Sequence, residues 1–272
     1  MASSPPSAAL SGAVKGYCGY VEHTNAPLRR REAATGTITV IFSFGPRMRV
    51  DGVLHDSFVA GLSDVPVTTE HGGVQNGLEL KLTPLGARRL FGVPMHELVN
   101  RVVALDDLLG TGTLLEELAE ARGWEARFAR VEAELTQRLG AAPAPHLAVR
   151  AAYARLVATR GMIAVGVLAG ELGWSRRHLA ACFREDIGVS PKALARLLRF
   201  ERAMELLGAH RPRALADVAY ECGYYDQAHF NRDFKAFAGA TPVELLSRRL
   251  PDGGGWSADG LPSVQDELSA AA

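Results

Sequence analysis

One short unit occurs twice in this sequence, and the repeat restricts the C-terminal half to a particular kind of helical fold. Three residues of the first copy recur 50 positions later, and a fourth has an aromatic counterpart there: Ala169, Glu171, Gly173 and Trp174 match Ala219, Glu221, Gly223 and Tyr224. After the glycine the offset becomes 51, and the matching pairs are Leu179 with Phe230, Phe183 with Phe234, Gly188 with Gly239 and Pro191 with Pro242. Two copies that differ by one inserted residue indicate one structural unit used twice.

Each copy has the pattern of a helix-turn-helix. Ala169 and Ala219 are small where a second helix has to approach closely, and Gly173 and Gly223 stand where the chain turns. A second helix follows in each copy, and an apolar pair four residues apart marks its buried side: Leu179 with Phe183, and Phe230 with Phe234.

The outward side of each second helix carries groups that can contact nucleic acid. Arg binds guanine with two hydrogen bonds, Asn and Gln bind adenine, alanine can meet a thymine methyl group, and cations bind phosphate. A charged helix face is usually only solvated, but two such faces in a tandem repeat favour DNA binding. The predicted DNA-binding residues are Ser175 (also a helix N-cap), Arg176, Arg177, Ala181, Arg184, Gln227, Asn231, Arg232 and Lys235.

The charge of the chain is divided between its halves. The whole chain has 30 basic and 30 acidic residues, whereas residues 150–250 have 16 basic and 10 acidic, and the remainder has 14 basic and 20 acidic. A basic C-terminal half on a neutral chain is typical of a domain that faces a polyanion. Between the two copies, a helix that begins at Ser190-Pro191 and ends near Leu207 would be roughly 25 Å long. Such a helix could hold two recognition helices about one DNA turn apart, ~34 Å.

Residues 146–250 resemble the DNA-binding domain of AraC/XylS-type transcription regulators. The resemblance covers the first copy from Leu168 to Pro191, the run from Asp217 to Lys235, and Gly239-Ala-Thr-Pro242. It implies seven helices with two helix-turn-helix motifs, and it implies that the likeliest base readers are Arg177, Gln227, Asn231 and Arg232. Tyr225 departs from the family, in which a small capping residue is common, so Asp226 is a candidate for the cap of the second recognition helix.

Residues 13–140 are predicted to form a β-rich domain, either cupin-like or a sandwich, with flanking helices. Short runs rich in β-branched and aromatic residues, such as Thr37–Phe44, are separated by Gly, Pro, Asp and Asn up to about Thr83, and Pro84 begins a helical pattern. This part is similar to the sensor domains of AraC/XylS-type relatives, which implies effector binding or dimerisation. Five aromatic residues are candidates for a ligand pocket or for an ordinary core: Tyr17, Tyr20, Phe42, Phe44 and Phe58.

A helix at about Trp124–Leu139 carries an apolar stripe with two interpretations. The stripe comprises Trp124, Phe128, Val131, Leu135 and Leu139. It could pack against its own domain or form a dimer interface, so monomer and homodimer both remain open.

The chain is expected to be a cytoplasmic protein with two ordered domains. Residues 1–12 are rich in Ser, Pro and Ala and are predicted to be disordered, as is an acidic tail at 251–272. The N-terminus lacks the pattern of a secretory signal, and no apolar stretch approaches the ~18–20 residues that span a bilayer. The three cysteines Cys18, Cys182 and Cys222 are widely spaced, as in proteins of a reducing compartment.

Patterns of enzymes and metal sites are incomplete. His96-Glu97-Leu-Val-Asn100 resembles HExxH but lacks the second histidine, and Gly110-Thr-Gly112 lacks the third glycine of a dinucleotide loop. We therefore expect a sequence-specific double-stranded DNA-binding transcription regulator that is not an enzyme and needs no cofactor or metal. Candidate partners besides DNA are RNA polymerase and a small-molecule effector, and no membrane is expected. The alternatives are a barrel enzyme with an appended DNA-binding module and a nonspecific architectural DNA binder.

Overall fold

Strands occupy most of the chain up to residue 82, where β-branched and aromatic residues alternate with polar ones. The computed structural model describes residues 1–208 and 213–247 and the backbone of residues 256–257. Its strands are β1 (Ala2–Ser4), β2 (Val14–His23), β3 (Leu28–Glu32), β4 (Ile38–Ser43), β5 (Met48–Val50), β6 (Val53–His55), β7 (Phe58–Ala60), β8 (Val67–His71), β9 (Val74–Leu82), β10 (Val102–Ala104) and β11 (Trp256–Ser257).

These strands form two antiparallel sheets that face each other. One has the order β1-β2-β9-β4-β7-β10, and the other has the order β11-β3-β8-β5-β6. Successive side chains of β4 point to opposite faces of its sheet. Ile38 and Val40 therefore belong to the main core, whereas Ile41 packs with Val50 and Phe58 between the sheets. The predicted β-rich N-terminal domain is therefore confirmed.

Helices follow the strands, as the change of period at Pro84 predicts. They are α1 (Pro84–Phe91), α2 (Leu105–Leu109), α3 (Leu114–Glu120), α4 (Trp124–Ala141), α5 (Leu147–Ala158), α6 (Val165–Glu171), α7 (Arg176–Asp186), α8 (Pro191–Gly208), α9 (Leu215–Glu221), α10 (Gln227–Ala238) and α11 (Pro242–Ser247). A single 3₁₀ turn covers Met95–Glu97. Because every element from residue 147 to residue 247 is a helix, the predicted all-α C-terminal domain is confirmed as well. No helix in the described part of the chain combines the length and apolar character needed to cross a membrane.

The apolar stripe of α4 packs within its own domain. Phe128, Val131, Leu135 and Leu139 are buried, and the Phe128 ring lies 5.9 Å from the ring of Tyr17 on β2. Because the chain itself covers this stripe, the helix does not offer it to a second copy.

Two segments predicted to be disordered contain ordered backbone. Within residues 1–12, Ala2–Ser4 pairs with Tyr17–Gly19, and Leu10 is buried in the core. Within the acidic tail, Trp256 and Ser257 pair with Arg31 and Arg30, while residues 251–255 and 258–272 lie outside the described part. For residues 2–4 composition gave the wrong expectation, because an open sheet edge supplies backbone hydrogen bonds to a strand of almost any sequence. For the tail as a whole, disorder stays a prediction.

The two halves of the chain share one continuous core. The main hydrophobic cluster runs from Leu10 through the helices of the N-terminal domain to Leu245 in α11. Two hydrogen bonds join the segment after β3 to the C-terminal helices: the Gly36 amide donates to Glu201 Oε1 at 2.7 Å, and the Ala34 amide donates to the Phe237 carbonyl at 2.9 Å. The C-terminal helices are therefore held in a defined position against the sheets.

Candidate nucleic-acid interface

The first repeat unit is a helix-turn-helix made of α6 and α7. Gly173 adopts a positive φ of 65° at the turn, which a residue with a side chain adopts only with strain. Ser175 then caps α7, because its Oγ accepts a hydrogen bond of 3.1 Å from the His178 amide. Leu179 and Phe183 are completely buried, so the opposite side of α7 faces outward.

The second unit repeats this construction in α9 and α10. Gly223 has a φ of 72°, and the Asp226 carboxylate caps α10 by accepting a hydrogen bond of 2.6 Å from the His229 amide. Phe230 and Phe234 are fully buried, like their counterparts in α7. Asp226 thus takes the capping role, and the neighbouring Tyr225 is 93% exposed.

The predicted DNA-binding residues lie on these two helices and their caps. Eight of the nine are exposed: Ser175, Arg176, Arg177, Ala181, Arg184, Gln227, Arg232 and Lys235. Asn231 is half-buried, and its Oδ1 atom is enclosed without a hydrogen-bond partner among the described residues. The exposed positions leave both helix faces accessible, and their contact with DNA stays a prediction.

The basic residues of the C-terminal half fall into two groups. Several are neutralised by glutamates: Arg202 and Arg213 both pair with Glu221, and Arg160 pairs with Glu205. The basic residues of the two recognition helices form no ion pair with any described residue; these are Arg176, Arg177, Arg184, Arg232 and Lys235. Among the described residues of the C-terminal half, the cations without an ion pair are therefore these five on α7 and α10 and three others, Arg150 in α5 and Lys192 and Arg199 in α8.

Helix α8 connects the two units and supports both. It has 18 residues, so it spans about 27 Å. Ser190 accepts a hydrogen bond of 3.2 Å from the Ala193 amide at its start, as expected for an N-cap. The buried ring of Phe200 lies 5.2 Å from the ring of Phe234 in α10. Because α8 is a single helix packed against both units, it sets the distance between them.

An ion pair between α8 and α10 was not predicted from the sequence. Asp233 is only 4% exposed, and Arg196 donates two hydrogen bonds to its carboxylate, at 2.8 and 3.1 Å. The Arg196 guanidinium also lies over the Phe237 ring, 5.1 Å from its centre. The available signal was a carboxylate on the buried side of a recognition helix, between Phe230 and Phe234.

A cavity of about 380 Å³ lies between the two sheets of the N-terminal domain. Of the five predicted pocket aromatics, Tyr20 and Phe58 line it, whereas Tyr17 and Phe42 lie in the main core and Phe44 packs against that core. Its polar end holds Glu22, which accepts a hydrogen bond of 2.8 Å from Arg30 and lies 3.3 Å from His71 Nε2. Burial lowers the pKa of His71, and the Glu22 carboxylate opposes that effect. Within the described residues, no group of three or more His, Cys, Asp or Glu side chains is arranged to hold a metal ion.

The wall of this cavity continues into the contact between the two halves. Thr35 lines the cavity, and its Oγ1 atom lies 3.5 Å from Glu201 Oε1 on α8. Burial raises the pKa of Glu201, and hydrogen bonds from Gly36 and Thr35 offset part of this rise. Glu201 lies at helical spacing from the buried Leu194 and Leu197 of α8, and a carboxylate in that position was the signal for a specific partner.

Comparisons with known proteins agree with this architecture. A family model described as a helix-turn-helix domain matches residues 168–248, and a second, described as a domain of unknown function (DUF6597), matches residues 2–104. ToxT from Vibrio cholerae is 14% identical with a TM-score of 0.50, over 85% of this chain and 97% of that chain. At this identity the likeness shows the fold alone.

Two relatives share more of the C-terminal sequence. The HTH-type transcriptional regulator GlxA of Rhizobium meliloti (strain 1021) is 36% identical over 76 residues, which are 28% of this chain and 23% of GlxA. A probable AraC family transcriptional regulator from Rhodopseudomonas palustris CGA009 is 31% identical over 37% of this chain and 95% of that chain, with a TM-score of 0.34. The chain spans 12% of the length of the uncharacterised HTH-type regulators of Staphylococcus aureus that it also matches. Residues 168–248 of the chain are therefore a helix-turn-helix domain of the kind found in HTH-type transcriptional regulators.

Proposed function

We propose that this protein is a sequence-specific double-stranded DNA-binding regulator of transcription. The observation that carries the proposal is the pair of recognition helices, α7 and α10, whose outward faces hold unneutralised basic residues while α8 sets their separation. Helix N-termini and exposed Arg and Lys side chains contact phosphates, and Arg, Gln and Asn contact base edges. One chain could thus occupy two neighbouring stretches of major groove on one face of the duplex.

A binding experiment tests this function. Sites are selected from a random DNA pool with the full chain and then measured in a mobility-shift assay against random competitor DNA. We expect enriched sites that resist competition and a footprint that covers two adjacent major-groove segments. Equal competition by random DNA would identify an architectural binder, and a footprint of one groove segment would contradict the paired arrangement.

We further propose that a small-molecule effector binds between the sheets and changes DNA affinity. The supporting observation is Thr35, which lines the cavity and also lies 3.5 Å from Glu201 on the connecting helix. A ligand that displaces Thr35 would disturb the hydrogen bond from Gly36 to Glu201, and so change the population of the docked arrangement.

Filling the cavity tests this proposal without knowledge of the ligand. Ala60 is half-buried in the cavity wall, so Ala60→Phe places a ring in the space a ligand would take. We expect the DNA affinity of Ala60→Phe to change at least severalfold, and that of the surface control Val53→Phe to stay that of the wild type. Unchanged affinity in a folded Ala60→Phe protein would contradict effector control through this cavity.

A further inference from the structure

The two helix-turn-helix units share one frame, so their side chains can be compared position by position. With an offset of 51 residues, Ser175 and Asp226 both cap their helices through the amide three residues on. The counterparts Leu179 and Phe230 are both fully buried, as are Phe183 and Phe234. Outward positions agree too: Ala181 and Arg232 are exposed, and Ala180 and Asn231 are half-buried. Equivalent positions therefore face the same way in both units.

The chemistry at the middle of the two outward faces is different. In α7 the central positions are Ala180 and Ala181, which offer only methyl groups. In α10 the same positions are Asn231 and Arg232, an amide and a guanidinium. Methyl groups can touch a thymine methyl, whereas an exposed guanidinium can make two hydrogen bonds to one base. The Oδ1 atom of Asn231 is enclosed, so Arg232 is the group of this pair that can make such a contact. The middle of α10 can therefore distinguish base pairs that the middle of α7 cannot.

The two recognition helices are also anchored differently. Asp233 in α10 is buried and bonded twice by Arg196 of α8. Its counterpart in α7 is Cys182, whose Sγ atom lies 3.7 Å from His178 Nε2 on its own helix. A side chain that reads a base edge needs its helix held in fixed register, and an ion pair to α8 supplies such a constraint for α10. Helix α7 is held instead at its C-terminal end, where Arg88 of α1 lies 3.4 Å from Glu185 and 3.5 Å from Asp186.

The cations of α7 lie toward its two ends. Arg177 stands in the first turn and Arg184 in the last. A Cβ atom on Gly166 would come within 2.6 Å of Arg176 Nη2, so the Arg176 guanidinium lies over α6. Positive charge at both ends of a helix suits contacts with phosphates on either side of the groove. Arg177 is the guanidinium of this helix that is placed to reach a base edge.

We propose that the two units divide recognition between them. The second unit, through the exposed Arg232 at the middle of its recognition helix, determines the sequence of its half of the DNA site. The first unit binds mainly phosphate and thymine methyl groups and has Arg177 as its candidate base reader, so its half of the site is more weakly specified. This inference rests on the proposed function, since it assumes that both helices enter the major groove.

Selection from a random DNA pool measures the base preference at every position of the bound site. With the wild-type chain we expect one strongly specified half-site, and a second half-site about one helical turn away, ~10 base pairs, with much weaker preferences. Arg232→Ala is expected to reduce discrimination at one position of the strong half-site by about 5- to 150-fold, the effect of losing one bidentate contact. The weak half-site should not change.

The reciprocal variant provides the sharper test. Ala180→Asn/Ala181→Arg places the groups of the second unit on the first, and it should create new base preferences in the weak half-site. The single variant Ala181→Arg alters an exposed residue alone, which separates recognition from any effect on folding. Arg184→Ala serves as a matched control, because loss of a phosphate contact should weaken all sequences equally.

The outcomes separate this inference from the function on which it rests. If no sequence is enriched although the chain still binds DNA, then specific regulation is wrong and this inference falls with it. If sites are enriched but the wild type specifies both halves equally, the division between units is wrong while the regulator remains. The same conclusion follows if a folded Ala181→Arg protein leaves the weak half-site unchanged.

Discussion

The carboxylate of Glu201, in the helix that joins the two helix-turn-helix units, accepts a hydrogen bond of 2.7 Å from the backbone amide of Gly36 in the N-terminal domain. The two residues are 165 positions apart in the chain. Burial raises the pKa of this carboxyl above its ordinary value, while Lys15 lowers it and Glu205 raises it. The folded protein therefore holds the Glu201 proton to a higher pH than the unfolded chain does.

This difference predicts how stability changes with pH. Between the ordinary glutamate pKa of about 4.3 and the raised value, the folded state binds more protons, so the contribution of Glu201 to stability falls as pH rises. Glu201→Gln is neutral at every pH and keeps an oxygen that can accept from Gly36. We expect its free energy of unfolding to be similar to that of the wild type near pH 4 and higher at pH 7. The measurement is urea unfolding across this range, with the exposed Glu120→Gln as control; a variant less stable than the wild type at pH 7 would contradict it.

Two glycines of the first unit, one at the turn and one in the helix before it, allow a matched pair of alanine substitutions. Gly173 has a φ of 65° and open space around its Cα, so Gly173→Ala should cost about 1–2 kcal/mol from backbone strain alone. Gly170 lies three residues earlier in helix α6, also with open space, and there alanine should stabilise by about 0.5–1 kcal/mol. Both are measured by urea unfolding of the full chain. Equal effects of the two substitutions would be inconsistent with this turn geometry.

Much of the fold follows from local patterns, and much of what joins its parts does not. Apolar residues at steps of 3 and 4, such as Leu179 and Phe183, mark the buried side of a helix whatever it packs against. The pairing of Gly36 with Glu201 depends on how two distant segments dock, for which a single sequence holds no periodic signal. The prediction that residues 2–4 are disordered was wrong for a related reason, because these residues are ordered by pairing with the edge of β2.

In the candidate interface, too, the sequence predicted the features that depend on local spacing and missed those that depend on contacts between helices. The repeat and the family resemblance located the two recognition helices and their caps, because spacing within each unit is local. The Arg196–Asp233 pair links two helices, and composition does not distinguish a buried aspartate from a solvated one. The partial burial of Asn231 likewise depends on its neighbours in space.

Removal of Arg196 should destabilise the second unit. Arg196→Ala would leave the buried Asp233 carboxylate with His229 as its remaining ion-pair partner, 3.7 Å away. We expect a loss of roughly 2 kcal/mol in the free energy of unfolding, the cost of leaving a buried polar group unsatisfied. Arg202→Ala is the control, since its pairs with Glu205 and Glu221 are more exposed and should be worth about 1 kcal/mol or less. Similar losses of unfolding free energy in both variants would show that the burial of Asp233 does not increase the contribution of its ion pair to stability.

Salt dependence reports on the phosphate contacts of each recognition helix. Loss of one contact lowers the slope of log affinity against log salt concentration by about 1. We expect this decrease for Arg184→Ala in α7 and again for Lys235→Ala in α10. Arg130→Ala is the control, because Arg130 pairs with Glu117 and Glu134 in the N-terminal domain. If Arg184→Ala and Lys235→Ala keep the wild-type slope in a fluorescence-anisotropy titration, these residues do not contact phosphate.

The single hydrophobic cluster that extends from Leu10 to Leu245 has a mechanical consequence. To rotate α10 away from the N-terminal domain, the protein has to bring apolar side chains such as Phe237 into water, at roughly 25 cal/mol for each square ångström uncovered. Movement of one half relative to the other is therefore coupled to partial unfolding of the shared core. A bound small molecule, a rise in temperature or a substitution that changes the stability of one half is therefore expected to change the rigidity of the other half as well.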